Sequence, residues 1–275
     1  CSLSLGRASQ VADAMSRLFV QSFRLGFATA TAYRGEILST TIGAAIVMLL
    51  NICLWESLYT DQNIIAGLSH DAMLRYVIGA WLICVFYRSR IDVELHEAFQ
   101  SGSLATRLIR PQSLQLQLYA ESLGQSVCRL LFSILPIGLC ILWFTDIKWS
   151  IRFVDFAILC ALAISAQILA FSLSWLVGIC GWLTQNGEGL IRLKVLSIIA
   201  LGGALIPLPL YPYWLQDIAL ILPFSALSHL PAQQLAHGSL ELATLLTPLF
   251  WSALLLAAGQ WVFQRSVRLW VVQGG

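Results

Sequence analysis

Three polar side chains recur inside an apolar run at a spacing that could do chemistry. Glu121, Gln125 and Arg129 stand at i, i+4 and i+8, so a helix carries all three on one face. A charged group within a membrane helix costs roughly 2.5–3.5 kcal/mol and usually faces protein or water. The stripe could line a water-filled vestibule, or it could pair with another helix as a structural clamp. Arg129 could also extend to the membrane interface.

A second pair of charges lies near the adjoining ends of two apolar runs. Glu56 closes the first run and Arg75 opens the second, with a short connection between them. We expect an ion pair that fixes this hairpin, and the alternative is a contact to a transported solute. Asn51 and Gln167 fall at mid-depth of their runs, where uncharged polar groups usually form interhelical hydrogen bonds.

The remaining reactive residue types form no enzyme signature. The four histidines show no H-E-x-x-H or other metal-binding spacing, and no pair of carboxylates suggests a protease. The basic residues form no nucleic-acid patch with interleaved aromatic residues. We therefore expect no catalytic residue, no metal site, no cofactor held by this chain and no nucleic-acid partner.

The composition indicates the element type that must position these residues. The 275 residues are 58% hydrophobic and 11% charged, about half the charged content of a soluble domain. Apolar runs of about 20 residues match the thickness of a bilayer, and lipid requires them to be helical. We predict an all-α integral membrane protein with six transmembrane helices. Their approximate bounds are Ile37–Tyr59, Ala72–Tyr87, Leu116–Phe144, Phe153–Cys180, Leu193–Leu208 and Leu242–Phe263.

Lysine and arginine predict the orientation of these spans. The positive-inside rule places the more basic segments in the cytosol. Here these segments are the two chain termini and the loops that follow the second and fourth spans. Both termini are thus predicted to be cytosolic. The residues on that side are Arg7, Arg17, Arg24, Arg34, Arg88, Arg90, Arg107, Arg110, Arg192, Lys194, Arg265 and Arg268, whereas Lys148 and Arg152 lie on the other.

Two further segments have distinctive patterns. The cytosolic N-terminal segment 1–36 is amphipathic, which favours a helix lying in the membrane interface. The segment 206–238 contains five prolines and no Lys or Arg, and it follows the fifth predicted span. We expect short re-entrant or outer-leaflet helices there, and the alternative is an ordinary apolar extracellular loop.

The polar segment 88–115 separates the second and third predicted spans. Its first part favours a helix to about Gln100, Ser101-Gly102 supplies a turn, and a short second helix ends before Pro111. The pattern predicts a helix–turn–helix elbow at the cytosolic side. On residues alone, a solvated loop remains an alternative.

Four stretches in this order resemble the permease subunit of an ABC transporter of the ABC-2 type. They are AYRGEIL at Ala32–Leu38, FQSGSLATRLIRPQSL at Phe99–Leu114, GGALIPLPLYPYWL with LPF between Gly202 and Phe224, and RLWVVQGG at Arg268–Gly275. The resemblance implies one ABC-2 transmembrane domain over residues 1–275, in a bacterial cytoplasmic membrane. It also implies that the elbow is the coupling helix that docks on an ATPase. We expect Glu94, Glu97, Phe99 and Arg107 to form that contact, with Phe99 as its anchor.

The resemblance further implies two ATPase subunits and a second permease subunit, identical or paralogous. Only Lys148 and Lys194 are lysines and neither follows Gly, so no phosphate-binding loop exists and ATP with Mg is expected on the partner. The predicted function is export of an apolar or amphipathic cargo such as a lipid, drug or peptide. A stand-alone ion- or proton-coupled carrier is the main alternative, and a membrane enzyme or scaffold is a third.

Overall fold

The computed structural model describes residues 2–60, 64–109, 113–145, 147, 149, 152–184, 187–238 and 241–273, with side chains from residue 15 to 266 except that of residue 182. About 85% of the chain is helical. Within the described part, five helical stretches are long and apolar enough to cross a membrane, at Arg34–Leu58, His70–Gln100, Leu114–Trp143, Phe153–Gly181 and Leu242–Ser266. The all-α fold is thus confirmed, whereas the fifth predicted span, Leu193–Leu208, is not among these stretches.

The first helices run between two opposite ends of the bundle. Helix α1 (Ser2–Ala32) leads into α2 (Arg34–Leu58), which ends beside a hairpin of β1 (Ile64–Ile65) and β2 (Leu68–Ser69). Helix α3 (His70–Tyr87) returns, and α4 (Ile91–Gln100) and α5 (Leu104–Leu108) form the elbow. We call the end of the bundle at β1 and β2 the hairpin end, and the end at α4 and α5 the elbow end.

The third long helix contains one irregular turn. Helix α6 (Leu114–Arg129) passes through a π-helical turn at Leu130–Ile134 into α7 (Leu135–Phe144). Pro136 has no N–H for a helical hydrogen bond, and a widened turn just before it accommodates that loss. Ser133 of this turn lies 2.6 Å, Oγ to Oγ1, from Thr41, which ties it to α2.

The N-terminal helix packs across α6 at a crossing of two glycines. A Cβ on Gly26 would overlap the Glu121 carbonyl, and one on Gly124 would overlap the Phe23 carbonyl. Only glycine permits backbones to approach this closely, as small residues do at membrane helix interfaces. The amphipathic segment is therefore a helix held against the bundle.

The centre of the bundle is built around a short buried helix. Helix α8 (Phe153–Leu183) and α3 enclose α11 (Ser225–His237), while α12 (Leu246–Gln273) packs along the other side of α8. Leu162, Leu169, Ala226 and Leu227 are fully buried in this contact. The segment 206–238 thus contains two short helices, α10 (Tyr213–Ile221) and α11, with a 3-10 turn at Leu208–Leu210 before them.

The predicted fifth span, Leu193–Leu208, requires correction. Helix α9 (Gly187–Leu201) ends before Gly203, whose φ of 77° is left-handed and turns the chain away. Its 15 residues extend about 22 Å, less than the roughly 30 Å of hydrocarbon. The sequence pattern counted the apolar residues beyond Leu201, but Gly202-Gly203 and the prolines that follow stop the helix.

Candidate functional site

The elbow has a buried back and an exposed tip. Gly178 of α8 lies so close to α4 that a Cβ there would meet Leu95 at 2.8 Å. Leu95 and Leu104 are 2% and 1% exposed, and they share an apolar cluster with Trp175 of α8. At the tip, Gly102 has a φ of 71°, which closes the turn between α4 and α5. This helix–turn–helix agrees with the sequence pattern.

Two of the three stripe residues on α6 contact the elbow. Arg107 Nη1 of α5 donates to Glu121 Oε2 at 2.9 Å, and Gln117 donates to Glu121 Oε1 at 3.1 Å. Gln125 Nε2 donates to Glu94 Oε1 of α4 at 3.4 Å. The Glu121 side chain is only 6% exposed, so its pairing with Arg107 offsets the cost of burying a carboxylate. Glu121 and Gln125 therefore clamp α6 to both elbow helices.

The third stripe residue lies apart from this clamp. Arg129 donates to Ser126 Oγ at 3.0 Å and to the Phe86 carbonyl at 3.5 Å. It also lines a small cavity of about 170 Å³ together with Arg88, Glu94 and other residues of the elbow end. A neighbouring cavity of about 700 Å³ is lined by Glu121, Gln125 and Arg107. The stripe therefore has two roles: Glu121 and Gln125 hold α6 against the elbow, and all three side chains line polar cavities.

An ion pair that sequence reasoning missed joins the elbow to α9. Lys194 Nζ lies 2.6 Å from Asp92 Oδ2, and the two side chains are 8% and 1% exposed. Lys194 Nζ also donates to Ser174 Oγ of α8 at 3.0 Å. The available signal was a lysine within the apolar pattern of α9, because such a charge usually has a buried partner.

The expected contact residues of the elbow occupy different surroundings. Glu94 and Arg107 are engaged with α6, and Phe99 packs partly against the apolar cluster behind the elbow. Glu97 is exposed. Ile109, which is not among the expected contact residues, is 84% exposed at the C-terminal end of α5. The exposed apolar side chain of this surface is therefore Ile109 rather than Phe99.

The expected pairing of Glu56 with Arg75 requires correction. Arg75 Nη2 instead donates to the Ala236 carbonyl at 3.0 Å, at the C-terminal end of α11. Within the described part of the chain, Glu56 is exposed and has no ion-pair partner. An arginine at a helix C-terminus is favourable because it meets carbonyls left unpaired by the helix. Arg75 thus fixes α11 rather than the α2–α3 hairpin.

A buried polar network joins α3 to α11 and to the end of α9. The Tyr76 hydroxyl lies 2.8 Å from His229 Nδ1 and donates to the Gly203 carbonyl at 3.1 Å. Further along α3, the Tyr87 hydroxyl lies 3.0 Å from Ser228 Oγ. Among the described residues, no group of His, Cys, Asp and Glu could hold a metal ion. The hydrogen bonds of this network join α11 to α3 and to the end of α9.

A cavity of the elbow end lies between α3 and α9. This α3–α9 cavity has a volume of about 810 Å³, within the range of ligand sites. Its wall is mostly apolar, and its charged residues are confined to the elbow end. Its lining residues include Trp81, Arg88, Arg90, Asp92, Ser174, Lys194, Val195, Ile198 and Ala204.

Comparison with known proteins gives one finding. A family model described as "ABC-2 family transporter protein" matches residues 45–274, which include α3 to α11, the elbow and the α3–α9 cavity. No curated protein matches the chain.

Proposed function

This chain belongs to the ABC-2 family of transporter proteins, and from that membership we propose that it is the permease subunit of an ATP-driven exporter. Family and apolar helices together make it a multi-pass membrane protein and the membrane component of an ABC transporter. ABC ATPase components accordingly associate with it, and hydrolysis belongs to them. In the proposed complex, two such ATPase subunits carry ATP and Mg, and a second permease subunit, identical or paralogous, completes the pathway.

The observation that carries the proposal is the two-sided construction of the elbow. Its back is tied to α6 by Arg107–Glu121 and to α9 by Asp92–Lys194. Its tip at residues 100–103 is exposed, and Ile109 at the C-terminal end of α5 is an exposed apolar side chain. A tip that docks on an ATPase would pass its displacement directly to α6, α8 and α9.

The proposed motion is a rigid-body transition between two packed states. Closure of the ATPase pair displaces the elbow, and the buried ties carry α9 with it. The α3–α9 cavity then changes its exposure from one side of the membrane to the other. The basic loops favour a cytosolic elbow. Export across a bacterial cytoplasmic membrane is part of the proposal.

In this proposal the contact surface on the ATPase consists of the exposed elbow residues. Ile109 provides an apolar anchor, and Glu97 provides a charge that fixes register. Phe99 supports the surface from its half-buried position. Glu94 and Arg107 act behind the surface, through Gln125 and Glu121.

Co-purification with the cognate ATPase tests the proposal. We expect Ile109→Glu to weaken ATPase binding at least about tenfold, because burying an unpaired carboxylate at an interface centre costs more than 1.4 kcal/mol. Ile64→Glu is the matched control, since Ile64 is 66% exposed at the hairpin end and should leave binding unchanged. Solute uptake driven by a proton gradient in vesicles without any ATPase would instead support a stand-alone carrier.

A further inference from the structure

The α3–α9 cavity separates its apolar and charged parts along its length. Trp81 of α3 lies seven residues before Arg88, which directly follows that helix, a distance of about 10 Å along the helix axis. Val195 and Ile198 line the cavity from α9 beyond Lys194, with Ile198 about 6 Å further along the helix, and Ala204 follows where that helix has ended. The site therefore presents hydrocarbon toward the bundle centre and polar groups toward the elbow end.

The charges at the elbow end do not cancel. Asp92 is neutralised by Lys194 at 2.6 Å, and Arg90 is paired at 2.6 Å with Glu36, which is not a wall residue of this cavity. Arg88 is exposed, and in the described part of the chain no carboxylate lies within 4 Å of it. Three basic side chains and one acidic side chain thus line the mouth.

Arg88 lines more than one cavity at the elbow end. It also lines the small cavity with Arg129 and a third cavity of about 380 Å³ between α2 and α3. A guanidinium presents a planar fork of donors that matches the two oxygens of a phosphate or carboxylate. Arg88 lines all three cavities and has no carboxylate partner among the described residues, so it is suited to hold an anionic group.

We propose that the α3–α9 cavity binds a membrane amphiphile with one anionic headgroup, held by Arg88, with its hydrocarbon tail along Trp81 and Ile198. The assignment of this amphiphile as cargo rests on the proposed function, but its binding does not. The occupant is a lipid of the anionic class, because a free anion would leave the apolar wall unused. A zwitterionic lipid lacks the net charge that the mouth complements.

The probe is phosphatidylglycerol retained by the purified protein, measured by native mass spectrometry against phosphatidylcholine. We expect Arg88→Gln to lower retention of phosphatidylglycerol about tenfold and to leave phosphatidylcholine unchanged. Arg192→Gln is the matched charge control, because Arg192 is exposed on α9, is paired with Glu188 and does not line the cavity. Inorganic phosphate at millimolar concentration should not displace the lipid.

A second pair of variants locates the tail without changing any charge. Val195→Trp fills the cavity from α9 and should lower retention about fivefold or more, whereas Leu196→Trp points away from the wall and should not. Both positions are exposed, at 44% and 62%, so neither substitution disrupts packing of the core. Equal retention by Val195→Trp and Leu196→Trp would place the tail elsewhere.

Two outcomes would overturn the proposal: retention by Arg88→Gln equal to that of the parent, or equal losses for Arg88→Gln and Arg192→Gln. Failure of the proposed function is distinguishable. Selective lipid retention with no ATPase bound would leave this site intact and remove the exporter. A stable ATPase complex with no selective retention would do the reverse.

Discussion

Lys194 of α9 and Asp92 of the elbow form a buried ion pair, with Nζ and Oδ2 2.6 Å apart. The pair lies beside Gly178, where α4 and α8 come closest, and Ser174 accepts a further hydrogen bond from Lys194. Helices α4, α8 and α9 therefore meet at one charged contact. This contact is a direct link between the elbow and α9.

Breaking this pair should be costly. Lys194→Met leaves the Asp92 carboxylate buried and unpaired, so we expect a loss of about 3–5 kcal/mol in stability. Combining it with Asp92→Asn should recover most of that loss, because no buried charge then remains. Thermal unfolding in detergent measures both. The exposed pair Glu188–Arg192 is the control, and Arg192→Met should change stability by less than about 1 kcal/mol.

The double variant also separates stability from transport. If the ion pair transmits motion, the stable double variant should hydrolyse ATP in complex with its partner but show reduced transport per ATP. Full transport by the Asp92→Asn/Lys194→Met protein would mean that the apolar packing around Leu95 transmits the motion alone.

The Arg107–Glu121 contact should behave as a coupled pair. Arg107→Glu places two carboxylates together, whereas adding Glu121→Arg restores an opposite-charge pair with the order reversed. We expect a coupling free energy of about 1–2 kcal/mol in a double-mutant cycle, reduced because Arg107 is 32% exposed. The measurement is transport-coupled ATPase rate and unfolding temperature together. If the effects of Arg107→Glu and Glu121→Arg on rate and unfolding temperature simply add in the double variant, the two side chains are not coupled.

The glycine crossing makes a prediction about α1. Gly124→Ala should separate α1 from α6 and cost about 1–3 kcal/mol, since an added Cβ overlaps the Phe23 carbonyl. Gly138→Ala is the matched control, because Gly138 is helical in α7 with nothing within 4 Å of an added Cβ. That control should stabilise by up to about 1 kcal/mol. Hydrogen exchange of α1 checks the difference, and equal exchange in both variants would contradict the crossing.

The Tyr76 network should stabilise α11. Tyr76→Phe removes the donor to the Gly203 carbonyl and the partner of His229 Nδ1, so we expect a loss of about 1–3 kcal/mol. Tyr119→Phe is the control, because Tyr119 makes a ring contact with Phe171 and its hydroxyl has no hydrogen bond within the described residues. Thermal unfolding distinguishes them, and equal losses would assign the effect to ring packing alone.

Most long helices and the elbow could be predicted from the sequence because they depend on local signals. Apolar run length sets the spans, and Ser101-Gly102 before Arg110-Pro111 sets the elbow turn and its end. The N-terminal amphipathic pattern likewise gave a helix. Run length failed at α9, because the apolar residues continue past Leu201 although Gly202-Gly203 and the prolines that follow stop the helix.

The partners of the polar residues could not be predicted, because they depend on how the helices pack. The stripe of Glu121 and Gln125 was visible, but its contact with Arg107 and Glu94 requires the elbow to fold back against α6. Arg75 was assigned to Glu56 by proximity along the chain. Its actual acceptor at Ala236 lies 161 residues away and became available only when α11 packed against α3.

The most direct test of the central claim is photo-crosslinking from the elbow tip. A photoreactive amino acid placed at Ser103, which is exposed beside Gly102, is activated in membranes that contain the cognate ATPase. We predict a crosslink between the two subunits that is absent when the same group replaces Ile64 at the hairpin end. Absence of any crosslink from Ser103, or labelling of that position by a membrane-impermeant reagent from outside intact cells, would contradict the claim.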